Sequence, residues 1–178
     1  ETKHSDGRIG KVNYTIWSDV FLCGECSQEI VLWDAAVDKD SGEVSSEFLC
    51  PGCGASWTKR TVERAFTMTF DQSLNETIKQ AKKVPVLINY SASGKSYTKT
   101  PDQYDFELLN KIESSKIPTW FPVDRLMDGK ETRRNDPIGI THSHHFYTKR
   151  NLWVFSSFLS KTKISFWKNH FWGAAKDC

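Results

Sequence analysis

Two pairs of cysteines with identical spacing constrain the fold of this chain more than any other feature. Cys23 and Cys26 are separated by two residues, and so are Cys50 and Cys53. Two thiolates at this spacing can bind one ion from a single tight turn, and four thiolates complete a tetrahedral shell with no open position. The pattern therefore predicts one structural zinc ion (Zn2+) per chain, and it assigns that ion no catalytic role.

The residues around the cysteines agree with such a site. Gly24, Gly52 and Gly54 are small, which lets backbone N–H groups turn towards the sulfurs. Three alternatives stay open: an iron site of the rubredoxin type, two disulfides, or metal-free thiols. Iron is the strongest of these because it uses the same four sulfurs. The absence of secretory features favours a metal site in a reducing compartment, so the expected location is cytoplasmic.

Charge and hydrophobicity limit the possible function classes. The net charge is only +2, so DNA binding would require a local basic patch. No run of 18 or more apolar residues occurs, so no membrane-spanning helix is expected. A length of 178 residues allows one ordinary domain or two small ones.

Local patterns predict an α+β fold that begins with a four-cysteine zinc ribbon. Strands are predicted at 14–22, 28–33 and 43–49, and turn residues at 38–42 join the last two. This gives a β-hairpin with a C-x-x-C pair at each base. A further strand is predicted over 57–70, although its apolar residues also recur at helical spacing.

A small β-hairpin and helix subdomain is predicted after the ribbon. A strand at 84–90 turns at 91–95 and returns at 96–99. Helices follow at about 102–115 and 149–160, the second with Thr148 as its N-cap. Their predicted buried stripes are Phe106, Leu109 and Ile112 in the first helix and Leu152, Phe155 and Leu159 in the second. A surface loop is expected at 124–140.

These elements suggest a division of the chain into three segments. A zinc-ribbon subdomain is expected at 1–70, an α+β subdomain at 71–160, and a basic, aromatic tail at 161–178.

Clustered basic side chains are the candidates for DNA contact. They are Lys59, Arg60, Lys79, Lys82, Lys83, Lys149 and Arg150. The last two stand at the start of a predicted helix, where phosphate binding is electrostatically favourable. The alternative is that all seven are ordinary solvated charges.

Three histidines at 142–145 form a second cluster of potential ligands. Because no acidic or cysteine partner lies nearby in the sequence, we interpret His142, His144 and His145 as a loop cluster that caps the following helix. A second metal site or a phosphate contact is the functional alternative. No glycine-rich phosphate loop, paired-carboxylate signature or nucleophile elbow is present, so the chain is not expected to be an enzyme by itself.

Five blocks of this sequence resemble, in order, a family of large bacterial site-specific DNA methyltransferases of restriction-modification type. The blocks are YTIWSDVFLC at 14–23, WDAAVD at 33–38, KR at 59–60, QAKKVPVLINY at 80–90 and GITHSHHFYTKRNL at 139–152. In that family, a zinc-ribbon region is inserted between two catalytic halves. The upstream half carries the glycine-rich S-adenosylmethionine motif, and the downstream half carries an Asp-Pro-Pro-aromatic motif.

The resemblance implies that this chain is the inserted region alone. Neither flanking motif occurs here, since Asp136-Pro137 is followed by Ile138. S-adenosylmethionine would bind only to the parent enzyme, whose remaining halves are expected partners together with DNA. The implied function is a non-catalytic module for DNA binding or target recognition; the alternative is a structural or protein-interaction module without DNA contact. The family pattern stops at about Leu159, so the tail is expected to be unrelated.

Overall fold

The structure is a computed structural model, and it describes residues 1–162. Within this range the fold is α+β, with mostly antiparallel sheet and few helices, as the local patterns predict. Except for its first two positions, the predicted tail at 161–178 lies outside the described residues. None of the helices within 1–162 is both long and apolar enough to cross a membrane.

The described part of the chain contains ten strands, three α-helices and two 3₁₀ helices. In chain order, the strands and α-helices are β1 (Thr2–Lys3), β2 (Ile9–Leu22), β3 (Glu29–Val31), α1 (Leu32–Ala36), β4 (Glu47–Leu49), β5 (Ser56–Thr58), β6 (Glu63–Arg64), β7 (Phe66–Asp71), β8 (Glu76–Ala81), β9 (Lys83–Ala92), β10 (Lys95–Lys99), α2 (Gln103–Ser114) and α3 (Lys149–Lys161). The 3₁₀ helices span Thr132–Ile138 and Ser143–Phe146.

These elements form two compact units. Unit 1 comprises Glu1–Thr69 and Thr77–Leu108, and unit 2 comprises Phe70–Glu76 and the chain from Leu109 onward. The tip of the β7–β8 hairpin therefore belongs to unit 2. The predicted division of the chain into subdomains at 1–70 and 71–160 and a tail at 161–178 stays a prediction.

Strand β2 organises the sheet of unit 1. It pairs antiparallel with β9 from Lys11↔Ser91 to Asp19↔Lys83, and the sheet order is β1-β2-β9-β10. The predicted strand began only at residue 14. The observed strand begins at Ile9 because its first residues pair with β1 and its next ones with β9, and this backbone pairing holds polar residues in the strand as well.

The predicted hairpin between 28–33 and 43–49 is wrong. Strand β3 pairs instead with β2, and β4 pairs with β5, so each C-x-x-C pair forms the turn of its own hairpin. The residues after β3 turn into helix α1, which places Leu32 and Ala36 on one buried face. The turn at 38–42 closes only an isolated bridge, between Val37 and Val44. The predicted strand over 57–70 is confirmed in part: β5, β6 and β7 are extended, but a turn at 59–62 separates β5 from β6.

The β9–β10 hairpin of unit 1 and helix α2, which unit 1 shares with unit 2, match their predicted positions better than their predicted packing. The β9–β10 hairpin and helix α2 are confirmed. The predicted apolar face of α2 is wrong at Phe106, which is 44% exposed, whereas the buried residue of this helix is Asp105. The carboxylate of Asp105 is buried because it accepts hydrogen bonds from the Thr2 hydroxyl and the Lys99 ammonium group.

Unit 2 ends its described part with helix α3. The predicted N-cap is confirmed, because the Thr148 side chain accepts a hydrogen bond from the Asn151 N–H. Leu152 is buried as predicted, while Phe155 and Leu159 are half-buried. The stretch predicted as a loop at 124–140 contains the first 3₁₀ helix.

Candidate metal centre

The two C-x-x-C turns have the same backbone structure. In each, the N–H of the first cysteine donates to the carbonyl five residues later, and its carbonyl accepts from the N–H four residues later. The four bonds, all between 2.9 and 3.0 Å, are Cys23 to Gln28, Ser27 to Cys23, Cys50 to Ala55 and Gly54 to Cys50. The fifth residue of each turn has a left-handed backbone, with φ of 58° at Ser27 and 75° at Gly54. The two turns are therefore local repeats of one hairpin knuckle.

The two knuckles bring four sulfur atoms together. The Sγ atoms of Cys23 and Cys53 are 3.6 Å apart, those of Cys26 and Cys50 are also 3.6 Å apart, and all four lie within 4.8 Å of one another. None of these four cysteines forms a disulfide. A tetrahedral zinc site with Zn–S bonds of about 2.3 Å has sulfurs about 3.8 Å apart along each edge. The cluster therefore has the size that one metal ion requires.

The sulfur cluster is continuous with the hydrophobic core of unit 1. Cys23 and Cys50 are buried among apolar residues that include Phe21, Ile30 and Phe48, whereas Cys26 and Cys53 are exposed. An ion bound by all four would tie the exposed end of each knuckle to this core. Position 24 requires glycine, because a Cβ atom there would lie 2.9 Å from the ring of Trp57.

The proximity of the four sulfurs shifts the pKa values of the cysteine thiols. Burial opposes ionisation of Cys23, but the N–H groups of Cys26 and Glu25 and the neighbouring thiols stabilise its thiolate and lower its pKa to about 6. At Cys26 the N–H of Gln28 favours the thiolate, yet partial desolvation of the sulfur and the three other sulfurs outweigh it and raise the pKa to about 12. Four adjacent thiolates are therefore stable together only with a cation among them.

The left-handed position in the two knuckles provides a paired prediction. We expect Ser27→Gly to raise the free energy of unfolding by about 0.5 kcal/mol, because glycine adopts φ of 58° without the penalty paid by serine. Gly54→Ser should lower it by about 1 kcal/mol, since an added Cβ meets no atom within 4 Å and only the backbone penalty remains. Denaturant titration of the zinc-loaded protein measures both changes. Ser46→Gly, at an exposed position without a left-handed backbone, should give no gain.

The histidine segment has an acidic partner that its sequence neighbourhood does not show. Asp71, more than 70 residues earlier, places its Oδ2 atom 2.6 Å from His144 Nε2 and 3.0 Å from His145 Nε2. All three residues belong to unit 2. Burial by itself would raise the pKa of Asp71, but the hydrogen bonds from the two histidines lower it to about 2. The expectation that these histidines lack an acidic partner is therefore wrong.

The candidate DNA contacts divide between the two units. Lys59, Arg60, Lys79, Lys82 and Lys83 lie in unit 1, and Lys149 and Arg150 lie in unit 2 at the start of α3. Three of the seven are engaged. Lys82 pairs with Glu29 at 2.7 Å, the Lys79 ammonium group lies 4.2 Å from the ring centroid of Phe66, and Lys149 donates to the Glu113 carbonyl at 2.6 Å. Lys59, Arg60, Lys83 and Arg150 are exposed and form no ion pair within residues 1–162.

Comparisons with protein-family models, curated proteins and solved structures found no match to this chain. The resemblance to DNA methyltransferases therefore stays a prediction from the sequence.

Proposed function

We propose that this chain is a non-catalytic, zinc-stabilised module of a DNA methyltransferase and that it contributes to DNA binding. The observation that carries the proposal is the cluster of four sulfurs at the spacing of a tetrahedral ion. An all-cysteine shell leaves no coordination position for water, so the ion is structural. The pair of equivalent knuckles, each at the turn of a β-hairpin, supports a zinc ribbon as the fold around it.

Metal analysis tests the identity of the ion. We expect the purified chain to contain zinc, of which Cys26→Ser removes the ion bound by the four sulfurs, and to lack the visible absorption of an iron tetrathiolate. Iron in the wild-type protein, or thiols that react fully without release of metal, would contradict the zinc assignment.

DNA contact is supported by the exposed basic residues next to the ribbon. Lys59 and Arg60 lie in the turn that follows β5, and Lys83 is the first residue of β9. Neutralising phosphates with such side chains releases counterions, which makes the affinity fall steeply with salt. Because these three side chains would contact phosphates, DNA binding through them would not depend on the base sequence.

The double variant Lys59→Ala/Arg60→Ala should weaken binding to a short, fluorescein-labelled, mixed-sequence duplex. Each lost phosphate contact should lower the slope of log affinity against log salt by about 1. Fluorescence anisotropy across a salt series measures the slope. The matched control Lys95→Ala/Arg134→Ala removes the same charge outside the candidate set and should leave the slope closer to that of the wild type.

Absence of binding at low salt would overturn the DNA part of the proposal. If the chain then self-associates or binds protein in a concentration-dependent manner, the alternative of an interaction module is favoured. The methyltransferase part has its own test. The coding sequence on either side should contain the glycine-rich donor motif and the Asp-Pro-Pro-aromatic motif, and their absence would remove that assignment.

A further inference from the structure

Three buried side chains in unit 2 form a second group of potential metal ligands, separate from the cysteines. Asp71 ends strand β7, while His144 and His145 lie in the 3₁₀ helix Ser143–Phe146. Their side chains are 8%, 7% and 2% exposed. The carboxylate oxygen and the two ring nitrogens lie within 4.8 Å of one another. Burial on this scale is unusual for a carboxylate unless it is paired or binds a cation.

The carboxylate is held in one orientation. Its Oδ1 atom accepts hydrogen bonds from the N–H groups of Ser73 at 2.8 Å and Leu74 at 3.2 Å, within the β7–β8 turn. Only Oδ2 is left to face the two imidazole rings. Metal-binding carboxylates are commonly fixed in this way by hydrogen bonds to the oxygen that does not face the ion.

The histidines are held by the backbone around them. The Ser143 hydroxyl donates to the Pro122 carbonyl and the Ser143 N–H donates to the Asp124 carbonyl, both at 2.9 Å. In the tautomer of His145 with the proton on Nδ1, the lone pair of Nε2 faces Asp71, which is the usual arrangement of a metal-bound histidine. The Thr141 N–H, 3.3 Å from the same Nδ1, favours the other tautomer.

Two arrangements therefore compete at this cluster. The 2.6 and 3.0 Å separations fit direct hydrogen bonds between the histidines and Asp71. A tetrahedral ion with bonds of about 2.0–2.1 Å needs ligand atoms about 3.3 Å apart, so His144 Nε2 would have to move about 0.7 Å and His145 Nε2 about 0.3 Å away from Asp71 Oδ2. The hydrogen-bonded form leaves the buried Nδ1 atom of His144 without a partner among the described residues. This atom lies on the side of the ring away from Asp71, so an ion bound at Nε2 would not satisfy it, and an ordered water is the usual partner of such an atom.

We propose that Asp71, His144 and His145 bind a second divalent transition-metal ion. Two imidazole nitrogens and one carboxylate oxygen suit a borderline first-row ion such as Zn2+, and they suit Mg2+ or Ca2+ poorly. Three protein ligands leave at least one coordination position for water or an anion, in contrast to the closed cysteine shell. The two sites would have different ligands and lie in different units, and only the second would have a free coordination position.

Metal content of the full chain tests this site. After loading with Zn2+ and dialysis against buffer without chelator, we expect about two zinc ions per wild-type chain by mass spectrometry of the metal. Asp71→Asn should reduce this to about one, because it removes the charge while keeping the size and the acceptor oxygen. His144→Gln should do the same. His142→Gln, which changes a histidine of the same segment outside the ligand group, should retain about two.

Cobalt spectra separate the second site from the cysteine site. The cobalt spectrum of the wild-type chain, after subtraction of the Asp71→Asn spectrum, should show d–d absorption without thiolate charge-transfer bands. Cys26→Ser should remove the bands of the thiolate site and leave the d–d absorption of the second site. A wild-type chain with about one zinc ion, all of it lost on Cys26→Ser, would overturn the second site and leave the zinc ribbon intact. A variant that keeps its cysteine-bound cobalt is folded in unit 1, and an unchanged far-ultraviolet circular dichroism spectrum shows that Asp71→Asn has kept unit 2 folded. Equal zinc content in wild type and Asp71→Asn would also overturn the proposal.

Discussion

Cys26→Ser should unfold the ribbon of unit 1. Structural zinc contributes about 10–16 kcal/mol of apparent binding energy in small zinc-dependent folds, which equals or exceeds the total stability of an ordinary domain, about 5–15 kcal/mol. The hydrophobic residues around Cys23 and Cys50 form a small cluster, which an ion bound by all four sulfurs would tie to both knuckles. Loss of one thiolate should therefore remove protection across β3, β4 and β5.

Amide hydrogen exchange followed by mass spectrometry measures this loss segment by segment. Cys178→Ser is the matched control, since it changes a cysteine that is not among the four clustered sulfurs, and it should leave the protection of the ribbon unchanged. If the ribbon of Cys26→Ser exchanges as slowly as that of the wild type when a chelator has removed exposed zinc, the ribbon folds without its metal.

Asp105→Ala should be the most destabilising change outside the ribbon. Asp105 is 4% exposed and accepts from the Thr2 hydroxyl at 2.5 Å and from Lys99 Nζ at 2.8 Å. Removal of one partner from a buried ion pair costs about 3–5 kcal/mol. We expect about 3 kcal/mol, because Asp102 remains 2.7 Å from Lys99 and keeps part of its charge paired.

The Lys99 ammonium group is charged in this arrangement. Burial alone would lower its pKa, but the hydrogen bonds and charges of Asp102 and Asp105 raise it above the ordinary value. Denaturant titration should therefore show a large loss for Asp105→Ala. Asp34→Ala, which removes an exposed carboxylate 3.4 Å from Lys39, should change stability by less than about 0.5 kcal/mol. Equal effects of the two variants would contradict the role assigned to burial.

Local sequence was sufficient for features whose hydrogen bonds close within a few residues. The C-x-x-C spacing predicted the sulfur cluster because each knuckle is stabilised by bonds between residues four or five apart. The same holds for the Thr148 cap of α3 and for the β9–β10 hairpin. These interactions depend on residue type and spacing alone, so they can be inferred without knowledge of the rest of the fold.

The pairing of the ribbon strands could not be inferred in the same way. The turn residues at 38–42 favoured a hairpin between the stretches before and after them, and one isolated bridge of that kind exists. The sheet instead pairs β3 with β2 and β4 with β5, although the 38–42 turn closes with the same pattern of backbone hydrogen bonds as the two knuckles. Both pairings satisfy local turn chemistry, and burial of the apolar residues around Cys23 and Cys50 decides between them.

The sequence by itself determined the four-cysteine cluster, the α+β composition and the positions of the main helices. Only the tertiary structure placed Asp71 against His144 and His145, and Asp105 against Thr2 and Lys99. The physical reason is the distance along the chain. A cysteine pair two residues apart is held together by its own turn, whereas carboxylates meet partners 73 or 103 residues away only after many strands and helices have packed. No local pattern encodes such contacts, because their stability depends on the burial that the whole fold creates.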